Sequence, residues 1–143
     1  MDAEAYLTDR LQPEIAWYDK KSGRNKFANT VTKIIEIACA AAIPLLAGYA
    51  KGGEQAISVI IGTLGVVVAI STGVSSLLKF QEQWIKYRTT AESLKKERYL
   101  FETRTEPYNG TDPLPMLVQR VETLVSQENT NWAQYMMKPS KEK

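Results

Sequence analysis

The hydrophobic positions of this chain gather into two apolar stretches set between polar flanks that carry most of the aromatic residues. The first covers residues 34–50 (IIEIACAAAIPLLAGYA), or begins at Val31 if its polar lead-in is counted. The second covers residues 56–78 (AISVIIGTLGVVVAISTGVSSLL). From Ile34 to Leu78 the acidic and basic side chains are Glu36, Lys51 and Glu54 alone. Twenty helical residues rising ~1.5 Å each reach about 30 Å, the thickness of a bilayer's hydrocarbon core, so both stretches predict membrane-spanning helices. Lys51-Gly52-Gly53-Glu54-Gln55 joins them, and two glycines in so short a polar link suit a tight helical hairpin. Pro44 predicts a kink in the first span that frees the carbonyl of Ala40. A soluble bundle with both stretches in its core is the alternative, and the uncharged length of the second stretch argues against it.

At 100° per residue, Ser58, Gly62, Gly65, Ala69, Thr72 and Ser76 fall on one narrow stripe of the second span, with Gly73 at its margin. Val59, Ile60, Val67, Ile70, Val74 and Leu77 take the opposite side. In a bilayer, helices associate through close backbone approach and interhelical hydrogen bonds, which small and hydroxylated residues permit. Two readings follow. The stripe is either the seam against the first span, which would supply Ala38, Ala41, Ala42 and Gly48, or a face turned to a symmetry axis, where it would line a pore. The second requires an oligomer, because one hairpin encloses nothing. Glu36 is the acid within the spans; pairing with Lys33 one turn away or a place on an ion pathway would each account for it.

Lys20, Lys21, Arg24, Lys26 and Lys33 precede the first span, and Lys79, Lys86, Arg88, Lys95, Lys96 and Arg98 follow the second, against Lys51 in the link. The positive-inside rule therefore puts both termini in the cytoplasm. Beyond the second span, Phe80, Trp84, Tyr87, Ala91 and Leu94 recur at heptad spacing, extended by Phe101, and predict a continuing helix with an oligomer seam. Turn chemistry at Glu106-Pro107-Tyr108-Asn109-Gly110 ends it. A last helix is expected from Asp112-Pro113 or Pro115, with Leu117, Val121, Leu124, Val125, Glu128, Trp132 and Tyr135 on its inner stripe. Tyr6, Leu7, Leu11, Trp17 and Tyr18 predict an N-terminal amphipathic helix interrupted at Pro13. The partition is thus a cytoplasmic helix over 1–33, spans over 34–50 and 56–78, an external link over 51–55, and a cytoplasmic helical part over 79–143 with a polar, frayed tail. The fold class is an all-α integral membrane protein whose long helices extend into a cytoplasmic bundle.

Composition narrows the chemistry. Eighteen basic against sixteen acidic residues give a net charge of +2, too weak to argue for nucleic acid. Histidine is absent, which removes the commonest general base and metal ligand. Cys39 is the single cysteine and reads as a small residue of the first span. No phosphate loop, dinucleotide fingerprint or nucleophile system is present. No catalytic, cofactor or metal site is expected, and the chain does not read as an enzyme.

The residues so assembled resemble the SLATT superfamily of bacterial two-transmembrane proteins, much of it described as of unknown function. The likeness runs from Tyr6-Leu7 and Arg10 through Trp17-Tyr18-Asp19-Lys20, then Ile43-Pro44-Leu45 and Gly48. It is most specific over residues 79–101, KFQEQWIKYRTTAESLKKERYLF, and continues to Pro107-Tyr108, Glu128 and Trp132. The resemblance implies an effector of the bacterial inner membrane, proposed to form pores or perturb the bilayer when a partner system senses stress. The resulting expectation is a homo-oligomeric pore or channel for inorganic ions, lined by the second span and open to a cytoplasmic regulatory protein. A non-conducting membrane scaffold that binds a soluble partner through its cytoplasmic helices is the alternative.

Overall fold

The computed structural model describes residues 2–49 and 55–137, and among them every regular element is helical. Helix α1 runs unbroken over Ala3–Tyr49, α2 over Gln55–Leu78, α3 over Phe80–Glu102 and α4 over Leu114–Met137. Lys51 to Glu54 of the expected link and the tail from Lys138 lie outside the described residues.

Asp2 starts α1, its carboxylate accepting the Ala5 N–H at 2.8 Å. The helix passes Pro13 where an interruption is expected, and the preceding turn explains how. Tyr6–Leu11 is π-helical, and the Gln12 N–H reaches back five residues to the Leu7 carbonyl. A widened turn accommodates a ring that lacks an N–H and would crowd the carbonyl four residues behind it. The helix also continues through Pro44. No boundary falls near residue 33, so the amphipathic N-terminal segment and the first apolar stretch are one helix.

Between α2 and α3 the continuation is not smooth. Lys79 sits at φ 47°, in the left-handed region, although its N–H still bonds the Ser75 carbonyl at 2.9 Å and its carbonyl takes the Gln83 N–H at 3.0 Å. The αL conformation costs a non-glycine residue about 1–2 kcal/mol, and it falls where the apolar helix gives way to the charged one. Helix α3 ends in a Schellman motif: Arg104 at φ 53° bonds the Phe101 carbonyl, and the Thr105 N–H reaches the Leu100 carbonyl. Tyr108 N–H then closes onto the Thr105 carbonyl at 2.8 Å, beside a cis Glu106–Pro107 peptide.

The described residues form two compact units. One takes those of Met1–Ser22 and Ile85–Lys143. It is a three-helix bundle whose core joins Tyr6, Leu11, Ile15 and Tyr18 of α1 to Ala91, Leu94 and Phe101 of α3 and Leu117, Val121 and Val125 of α4, with Tyr108 sealing the turn. Polar pairs around this core fix the helix directions. Arg10 grips Glu122 through two nitrogens at 3.0 Å each, and Tyr18 donates to Glu128 at 3.3 Å, so α1 and α4 run parallel. Asp19 pairs with Lys95 at 2.8 Å, and Arg98 donates to Gln12, which sets α3 antiparallel to α1. Burial beside Glu122 pushes the Tyr6 phenol up to about 12.

Glu97, 5 % exposed, is the charged group most deeply embedded in this bundle among the described residues. Its carboxylate receives Arg120 through two bonds at 2.8 and 2.7 Å and the Tyr108 hydroxyl as well. The Arg120 guanidinium, with Tyr108, holds it below the usual carboxylate range against the opposing effect of burial.

The other unit, Gly23–Trp84, is built differently. It holds most of α1 and all of α2, and none of its described residues is buried. Thr72 of α2 donates to Glu36 of α1 at 3.2 Å, and Lys26 stands 5.8 Å over the Trp84 ring. The two pairs share nearly the same sequence midpoint, so this part of α1 and the segment 72–84 run antiparallel.

Two outcomes follow. Arg104→Gly should raise the unfolding free energy by about 1 kcal/mol, since glycine occupies the left-handed C-terminal position without strain; denaturant unfolding followed by circular dichroism measures it. Because the folded-state pKa of Glu97 is lowered, its pairing stabilises the bundle above the unfolded value near ~4.3. That stability is lost as pH falls through the lower folded value. Unfolding free energies measured from neutral to acid pH should show a smaller acid loss for Glu97→Gln than for the wild type.

Candidate functional site

The chemistry expected of this chain sits on α2, whose three faces are set by what each one touches. Ile57, Ile61, Leu64, Val68, Ser71 and Ser75 are half-buried, at spacings of four and three residues. On α1, Thr32, Glu36, Cys39, Ile43 and Leu46 are half-buried in the same rhythm. These two stripes are the hairpin seam, and the Thr72–Glu36 bond lies at its edge. The aliphatic face is open: Val59 and Ile70 are 61 % exposed and Leu77 82 %.

The small-residue stripe is a third face. Ser58, Gly62, Ala69, Thr72 and Ser76 are exposed, and Gly65 is half-buried at its border with the seam. Each lies one residue after a seam position, hence about 100° further round the helix. A Cβ built on Gly62, Gly65 or Gly73 would meet no atom within 4 Å. The glycines are therefore not required by close approach of α1. The reading in which this stripe is the seam against the first span is corrected accordingly. So is its complement, because Ala38, Ala41 and Gly48 are exposed, and Ala42 alone of the four is half-buried.

Glu36 has a structural role in this arrangement. Lys33 donates to one carboxylate oxygen at 2.9 Å, and Thr72 donates to the other. The carboxylate is thus held between the two helices with its side chain 14 % exposed. Since Thr72 belongs to the small stripe, Glu36 also stands at that stripe's margin.

The heptad of α3 divides. Ala91 and Leu94 have no exposed surface and lie in the chain's own core, with Tyr87 packed against it, so the expected oligomer seam is not free at these positions. The physical reason is that α1 and α4 supply the apolar partners the heptad needs. Phe80 and Trp84 remain half-buried. Tyr87 meets Trp17 edge-on at 5.8 Å, and Trp17 in turn meets Tyr18 at 4.9 Å. Leu117, Val121, Val125 and Glu128 line the inner stripe of α4 as its periodicity predicts, while the side chains of Trp132 and Tyr135 lie outside the described residues.

Sequence reasoning missed the polar residues of the bundle: Arg10 with Glu122, and Glu97 with Arg120 and Tyr108. Glu97 follows Leu94 by three residues and precedes Phe101 by four, so its place on the apolar face was visible in the spacing. Its partners were not, because they lie on other elements.

The described residues thus define an all-helical protein in which two helices are long and apolar enough to cross a membrane. The chain belongs to the family described as protein of unknown function (DUF4231), whose model matches residues 13–114. That match takes in the motifs from Trp17 to Tyr108 and stops short of Glu128 and Trp132. No curated protein and no solved structure matches the chain.

Substitutions separate the faces of α2. Leu64→Ala should weaken the hairpin by about 1 kcal/mol through lost packing. Gly62→Ala should leave it within ~0.5 kcal/mol of the wild type, having nothing to collide with. Unfolding by detergent titration, read by circular dichroism, checks both.

Proposed function

We propose that the apolar part of α1 and the whole of α2 cross a bilayer as a hairpin with both chain ends on the basic side. Copies of the hairpin associate through the small-residue face of α2, and that face lines a path for inorganic ions. In this reading the protein is a membrane effector of the SLATT kind, and its class is that of a homo-oligomeric channel or pore.

One observation carries the reading. On the face best suited to close helix approach, Ser58, Gly62, Ala69 and Ser76 are left open by α1, and only its border meets that helix, through half-buried Gly65 and the Thr72–Glu36 bond. Lipid needs only aliphatic side chains, and the opposite face of α2 provides them. Hydroxyls and glycine carbonyls gathered on one stripe offer oxygen atoms to a partly dehydrated ion. Glu36, paired with Lys33, brings a carboxylate oxygen to the margin of the stripe beside the Thr72 hydroxyl.

The test is ion flux from liposomes holding the purified full chain. Flux above background is expected, with Thr72→Leu and Ser76→Leu lowering it about tenfold while assembly, read by crosslinking, persists. Background flux from correctly inserted, oligomeric protein would sink the proposal.

A further inference from the structure

Lys79 stands where two helical phases meet. The row of α2 that packs on α1 is Ile57, Ile61, Leu64, Val68, Ser71 and Ser75. Continued by whole turns of ~3.6 residues, that row would next present Lys79 and Glu82. Both are exposed. The half-buried residues of 79–84 are instead Phe80, Gln83 and Trp84, and Lys26 of α1 lies 5.8 Å over the Trp84 ring. The left-handed conformation of Lys79, at φ 47°, breaks the phase between the two rows.

Counting back from Phe80 by the same turns along an unbroken helix reaches positions 76, 73, 69, 66, 62 and 58. Each belongs to the small row of Ser58, Gly62, Gly65, Ala69, Thr72 and Ser76, or is next to a member of it. A straight helix through Lys79 that kept Phe80 in place would therefore lay the small row on α1, where the aliphatic row now lies. The present state is imperfect at this joint. A Cβ disfavours the left-handed region, so Lys79 is strained. Ser75 Oγ and Gln83 Oε1, four residues to either side, are shut off from solvent without a hydrogen bond. Nothing comes near enough to Gly62 or Gly65 to require glycine, whereas a helix lying on that row would use the space. The exchange of rows suits hydrocarbon, because lipid solvates Ile57, Ile61, Leu64 and Val68 as readily as α1 does.

We propose that Lys79 is the joint of an autoinhibitory switch. Left-handed, it leaves the small row of α2 open to other copies of the chain; right-handed, it makes α2 and α3 one helix and lays that row on α1. The gating sense of this exchange rests on the channel reading, but the exchange itself does not.

The Thr72–Glu36 bond puts Cys39, three residues further along α1, level with Ala69, three residues back along α2. The test therefore uses the full chain in liposomes, keeping Cys39 and adding Val68→Cys on the aliphatic row or Ala69→Cys on the small row. After mild oxidation, the disulfide within one chain is separated by size from those between chains and quantified by mass spectrometry. Lys79→Gly removes the strain of the left-handed form, so the yield at 69 relative to 68 should fall about fivefold below that with Lys79. Lys79→Val opposes that form, and the same ratio should be about tenfold or more above the glycine variant. If valine prevents folding, as read by circular dichroism, the glycine comparison decides alone. Ion flux from the same liposomes should be higher with glycine than with valine. A shifted disulfide ratio with no flux from any variant would uphold the exchange and refute the channel. The same ratio in every folded variant would overturn the proposal.

Discussion

A helix with a single neighbour covers a single face. In the unit Gly23–Trp84, the apolar stretches of α1 and α2 pack on each other, and neither buries a side chain fully. What α1 covers on α2 is the row from Ile57 to Ser75, and the geometry of the α-helix then dictates that the next row round stays open. The aliphatic row is the kind of surface that hydrocarbon chains solvate. The small, hydroxylated row is not explained by either neighbour or lipid. The functional proposal rests on this remainder.

The unit formed by the chain's ends obeys the opposite logic. Aliphatic and aromatic side chains from three helices close over one another, and charges at the edge are admitted only with partners. Arg10 with Glu122, Asp19 with Lys95, and Glu97 with Arg120 and Tyr108 each fix one helix against another. Such pairs add little net stability where a partner is half-exposed, as Arg120 is, but they penalise every register in which the carboxylate would be buried alone. Asp19 and Glu128 each keep one buried carboxylate oxygen without a hydrogen bond, while the other oxygen is met by Lys95 and Tyr18 respectively.

Much of this architecture could be read from the chain. The helices, the hairpin, the inner stripe of α4 and the turn near Pro107 all follow from periodicity and breakers, because these signals act within a few residues. Pro13 was misread for a local reason: a π-turn before it absorbs the disruption, and residue types do not announce a widened turn. The left-handed residues Lys79 and Arg104 were equally invisible, since neither is glycine or asparagine. The choice between faces of α2 was undecidable from sequence. Small residues at four- and three-residue spacing suit an intramolecular seam and an intermolecular one alike, and only the position of α1 separates them. The heptad of α3 misled in the same way, because an apolar stripe does not say whether its partner is another copy or another part of the same chain.

The central claim is that the open small-residue row of α2 meets a second copy of the chain. Single cysteines placed along residues 57–76 of a Cys39→Ala background, in lipid bilayers, test this through disulfide formation between copies. The account predicts crosslinking at 58, 62, 65, 69, 72 and 76, with 57, 61, 64 and 68 silent because α1 covers them. Crosslinks centred on 59, 66 and 70, or none along the helix, would contradict it.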